Sequence, residues 1–152
     1  MSADGKTLLA VPEGAGTYVK VPDGVETIAY GAFSGAESIK MVEMPETVKR
    51  IENFAFCDCT GLVSLQLPRS LEYIGAYAFG SSAWPLTGDI DRAEISSVYL
   101  GPLVRKVGFH AFEGLNLTSI EVDEANERFA SVDGCLANKA KDKILEEPAG
   151  RL

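Results

Sequence analysis

The chain has 152 residues, of which 46% are hydrophobic and 24% charged, and a formal net charge of −8. That length supports one domain-sized core, the acidic balance argues against a nucleic-acid surface, and no apolar run approaches the ~20 residues of a membrane-spanning helix. The N-terminal stretch SADGKTLL lacks both the basic start and the apolar stretch of a signal peptide, so any export signal is expected outside this segment.

In chain order, the first unit, 4–20, carries KTLLAVPEG and closes in a Pro-x-Gly turn. A twelve-residue pattern, Pro-x-x-(Val/Leu)-x-x-(Ile/Val)-x-x-x-Ala-Phe, then occurs four times, as PDGVETIAYGAF, PETVKRIENFAF, PRSLEYIGAYAF and GPLVRKVGFHAF. Its phase marks are Pro22, Pro45, Pro68 and Gly101, spaced by 23, 23 and 33 residues, so the third unit carries ten extra residues. Self-similarity at this period denotes a solenoid, with repeats at about 22–44, 45–67, 68–100 and 101–122. The segments 4–20 and 123–150 are expected as partial or capping hairpin units. KTLLAVPEG aligns with DKILEEPAG near the other end, which is what a fragment of a longer array would show.

After each Ala-Phe comes an apolar triad: Ile39/Val42/Met44, Leu62/Leu65/Leu67, Ile95/Val98/Leu100 and Leu117/Ile120/Val122. The last two positions alternate as in a strand and predict one parallel strand per repeat. The links beside the prolines are too short for a crossover helix, so the Ala-Phe stretches are predicted to form short helical turns at most. Phe33, Phe56, Phe79 and Phe112 recur in phase and are predicted to form a buried stack. A single unit cannot offset the entropy of ordering its own backbone, so the units must stack to fold.

The tandem Ala-Phe units, the Leu62 to Pro68 motif, Cys59 in FCDCTGL and the segment SVDGCLANKAKDKILEEPAG resemble the BspA-like leucine-rich repeats of bacterial cell-surface proteins. The resemblance implies a mainly β, right-handed leucine-rich-repeat solenoid punctuated by a hairpin, with an extracellular or cell-surface, adhesive role. No cofactor is expected. The asparagine ladder of better-known leucine-rich repeats is replaced by Gly24, Thr47, Ser70 and Leu103.

Chemistry-bearing motifs are sparse. Cys57 and Cys59 are too close for an unstrained bridge, and with Cys135 and His110 they lack metal-ligand spacing. The sequence has no nucleophile elbow, phosphate loop or His-Glu-x-x-His helix, and no enzymatic activity is expected. Asp89 and Asp91, in the insertion at 84–93, are the best pair for a weak calcium site but lack calcium-loop spacing. What remains is surface. The outward column on the motif strands reads Glu43, Gln66, Tyr99 and Glu121, with Met41, Ser64, Ser97 and Ser119 beside it. Together with Trp84 of the insertion it forms the candidate ligand face, for an extracellular protein or glycan, on a monomer that does not insert into a membrane. Trp84 is equally suited to covering the core. A second column, Glu26, Lys49, Glu72 and Arg105, alternates in sign and is expected to hold register. The alternative to a ligand-binding module is a structural spacer.

Overall fold

The computed structural model describes residues 1–12, 14–82 and 92–148, and among them there are thirteen strands and no helix. The strands are β1 (Thr7–Leu8), β2 (Tyr18–Lys20), β3 (Thr27–Ile28), β4 (Met41–Glu43), β5 (Arg50–Ile51), β6 (Ser64–Leu65) and β7 (Tyr73–Ile74), followed by β8 (Ser97–Leu100), β9 (Lys106–Val107), β10 (Ser119–Val122), β11 (Phe129–Val132), β12 (Cys135–Asn138) and β13 (Ile144–Glu146). They wind into a parallel-strand solenoid of about five rungs.

Each rung carries two strands rather than the one predicted. The motif strands pair as β2-β4-β6 and as β8-β10, while a second parallel sheet runs β1-β3-β5-β7-β9 through every rung. The second sheet is built from two residues per repeat, five and six after the phase mark. The second of these points inward: Ile28, Ile51 and Ile74 are fully buried. In register with them, the first points outward, as Thr27, Arg50, Tyr73 and Lys106.

The Ala-Phe segments are not helical turns. Successive N–H groups alternate between their own turn and the next rung: Ala32 N donates to Ala29 O, Phe33 N to Ala55 O, Ser34 N to Gly31 O and Gly35 N to Cys57 O. A left-handed residue in each turn, Gly31, Phe54, Tyr77 or His110 with φ of 65°, 60°, 54° and 51°, prevents the chain from continuing as a right-handed helix. The turns therefore form a third hydrogen-bonded ladder.

Phe33, Phe56, Phe79 and Phe112 fill the core as predicted, each 1% exposed. Their rings stack at centroid separations of 4.5, 4.9 and 5.9 Å. In place of an asparagine ladder, Thr47 Oγ1 donates to Val25 O at 2.7 Å and Ser70 Oγ to Val48 O at 2.6 Å. The C-terminal unit restores the asparagine. Buried Asn126 donates to Gly101 O and Val104 O at 2.9 and 2.8 Å and accepts from the Arg128 and Phe129 N–H groups.

The two ends differ from each other. Unit 4–20 is not a hairpin but supplies both strands of a rung, because β1 and β2 pair in parallel with β3 and β4. The segment 123–150 does contain a hairpin: β11 and β12 are antiparallel about Asp133-Gly134, whose φ values of 50° and 78° suit the mirror-image turn that tight hairpins favour. β13 adds to β12 antiparallel.

Candidate functional site

The expected column Glu43, Gln66, Tyr99, Glu121 lies on the outer face of the motif strands but is divided. β4 pairs with β6 and β8 with β10, whereas no ladder joins β6 to β8 at the rung that carries the ten extra residues. Lys20 precedes Glu43 in register. The first half borders a groove of about 360 Å³ lined by Met41, Glu43, Glu46, Ser64 and Gln66. Both exposed tyrosines of this face are engaged by the array itself: the Tyr18 hydroxyl donates to Glu43 and the Tyr99 hydroxyl to Asp123. The second bond raises the pKa of Tyr99 and lowers that of Asp123, and Arg69 approaches the same carboxylate at 3.6 Å. Trp84, Asp89 and Asp91 lie outside the described residues.

A different face gathers aromatic side chains. Tyr30, Phe54, Tyr77 and Phe109 follow one another along the solenoid, with ring centroids 5.6, 5.2 and 6.0 Å apart. Tyr30 and Phe109 are 68% and 66% exposed. The Phe54 and Tyr77 rings, from consecutive rungs, are parallel to within 10°. Their faces therefore look along the axis and their edges look outward. Sequence reasoning missed this row because its rings alternate between two neighbouring positions: Tyr30 and Phe109 stand two residues before the alanine, Phe54 and Tyr77 one before. The signal was an aromatic residue within two positions of every Ala-Phe.

Beside this row, on the outer face of the five-stranded sheet, the Arg50 guanidinium lies 4.1 Å from the centroid of the Tyr73 ring and the Lys106 ammonium 5.5 Å from it. The basic pairs Lys49-Arg50 and Arg105-Lys106, remote in sequence, thus meet across one tyrosine. Arg50 also pairs with Glu52 at 2.9 Å. The alternating column stacks in register and gains a fifth member, Lys6, ahead of Glu26, Lys49, Glu72 and Arg105. Of its charges, Arg105 and Glu72 approach to 3.7 Å. Among the described residues this face carries Lys6, Lys49, Arg50, Arg105 and Lys106 against Glu26, Glu52 and Glu72, with Asp4 beside Lys6.

A cavity of about 540 Å³ opens between the last rung and β13, lined by His110, Glu113, Glu146 and Glu147 among others. His110 Nδ1 lies 3.0 Å from Glu113. Where earlier rungs give a carbonyl to each phenylalanine N–H, Phe112 N donates to the Glu146 carboxylate at 3.4 Å. Burial pushes the Glu146 pKa up to about 7, against the Phe112 N–H that lowers it, with Glu113 raising it further. The thiols are separate and buried. Burial raises Cys57 to about 11 and Cys59 to about 12, so neither supplies a thiolate near neutral pH. Cys59 instead donates to Phe33 O at 3.0 Å. No group of three His, Cys, Asp or Glu side chains among the described residues is arranged to hold a metal ion.

No curated protein matches the chain. Among solved structures, a leucine-rich repeat protein from Eubacterium ventriosum is similar over 88% of this chain and 33% of its own, at 22% identity with a TM-score of 0.67. The pneumococcal vaccine antigen PcpA is similar over 96% and 41%, at 23% identity and a TM-score of 0.58. A leucine rich repeat protein of T. pallidum is similar over 79% and 65%, at 25% identity and 0.53. The chain thus spans a third of the length of the Eubacterium protein. Six copies of the BspA type leucine rich repeat are matched over residues 15–132, and with the repeated turns and stacked phenylalanines described above they place the chain in the BspA type leucine rich repeat family.

Proposed function

We propose that the chain is a non-enzymatic interaction module of a protein displayed at a bacterial surface, and that its aromatic face recognises an extracellular partner. The carrying observation is the backbone of that face. Phe54 and Tyr77 hold bulky rings in left-handed conformations that cost on the order of 1–3 kcal/mol. Gly31 makes the same turn without that strain. A purely structural spacer has no need of rings in strained positions that leave apolar edges in water. The likeness to a pneumococcal antigen supports the surface location.

Labelled protein on arrays of extracellular proteins and glycans tests the reading. Specific binding is expected, and the double variant Tyr30→Ser/Phe109→Ser should abolish it without moving the unfolding midpoint. Uniform absence of binding favours the spacer, and binding untouched by the double variant overturns the assignment to the aromatic face.

A further inference from the structure

We propose that the aromatic face takes an extended acidic segment of a partner protein, with apolar side chains along the row Tyr30, Phe54, Tyr77, Phe109 and carboxylates over Arg50 and Lys106. The inference deepens the recognition reading above and rests on it.

Three observations choose the occupant. First, the middle rings present edges to solvent because Phe54 and Tyr77 stack face to face. A sugar ring packs against an aromatic face, which these two rings turn toward each other. The edge carries the positive end of the ring quadrupole and suits acidic groups and aliphatic side chains. Second, the neighbouring sheet face is basic in a chain whose net charge is −8. Arg50 and Lys106 flank Tyr73 there, so electrostatic complementarity selects an acidic partner. The Arg50–Glu52 pair is exposed, and an exposed pair contributes at most about 1 kcal/mol, so exchanging Glu52 for a partner carboxylate loses little. Third, the rings repeat at 5.6, 5.2 and 6.0 Å along the solenoid. In an extended peptide, alternate side chains on one face recur every ~7 Å, close enough for flexible side chains to meet successive ring edges. Near Phe109 the surface turns acidic, with Glu146 and Glu147 lining the adjoining cavity. The partner's carboxylates therefore belong over β5, β7 and β9, and only its apolar side chains extend past Phe109.

Selection of phage-displayed random dodecapeptides on immobilised protein, with a glycan array probed in parallel, tests this. Enrichment of peptides that combine Asp or Glu with large apolar residues at alternate positions is expected. Their affinity should fall at least about tenfold in Tyr30→Ser/Phe109→Ser and in Arg50→Gln/Lys106→Gln, and should weaken with salt. Enriched peptides without acidic residues overturn the inference. Glycan hits abolished by the same aromatic variant overturn it too, while leaving the recognition reading intact. Absence of hits on both libraries overturns both.

Discussion

Phe54 and Phe56 stand two residues apart in one turn and have opposite surroundings. Phe56 is 1% exposed between Phe33 and Phe79, and Phe54 is only half-buried, in the outer row. Truncating Phe56 to Ala is expected to lose about 3–5 kcal/mol of unfolding free energy, measured by denaturant titration, because it leaves a cavity in the stacked core. Phe54→Asn should change stability by less than about 1 kcal/mol. The lost ring pairing, worth about 0.5–1.5 kcal/mol, is offset by relief of the left-handed backbone, which asparagine tolerates. A third residue is fixed by close approach. A Cβ on Gly108 would lie 2.2 Å from Ala76 N in the preceding rung, so Gly108→Ala should lose about 1–3 kcal/mol or more by forcing the rungs apart. The buried phenylalanines were legible because they recur at a fixed distance from each phase mark. Phe54 and Tyr77 were not, since the same position holds glycine and histidine elsewhere, and that variety reads as indifference when one residue type is tracked at a time.

At the scale of elements, the motif strands were legible from their alternation, and the hairpin was implied by the family resemblance of the segment SVDGCLANKAKDKILEEPAG. The five-stranded sheet was not. Two residues with one inward side chain per strand give no period to detect, and only stacking makes them a sheet. The C-terminal unit hid its asparagine for a related reason: Asn126 is 25 residues after Gly101 and 22 after Val104, in a unit that lacks the Pro and Ala-Phe marks. Asn126→Ala should lose at least about 2 kcal/mol, because it strips two carbonyls and two N–H groups of their partner, and hydrogen exchange should accelerate first at Arg128 and Phe129. The seating of β13 is expected to depend on pH. With its folded pKa raised to about 7 by burial, Glu146 holds its proton more tightly folded than unfolded. Its contribution is therefore fully present below the unfolded carboxylate pKa and lost as pH rises through about 7. Exchange of the Phe112 amide should quicken between pH 5 and 8 beyond its intrinsic rate, and Glu146→Gln should remove that excess.

Between β3 and β10, three ladders join successive rungs: the five-stranded sheet, the turns and the motif strands. The period of 23 counts through all three until the ten extra residues interrupt one. There β5 still pairs with β7, and the Phe54, Phe56 and Asp58 N–H groups still donate to Ala76, Ala78 and Gly80, but β6 and β8 part. A triangular cross-section can thus absorb length on one side while the other two keep register, which is why the Phe56 and Phe79 rings remain stacked at 4.9 Å across the interruption. The divided side also sets how the chain responds to force. Hydrogen bonds between rungs run along the axis, so a pull on the two ends stretches them in series, and the junction spanned by two ladders is weaker than junctions spanned by three. Between β3 and β10, such a pull would part the stack first between the rungs of β5 and β7.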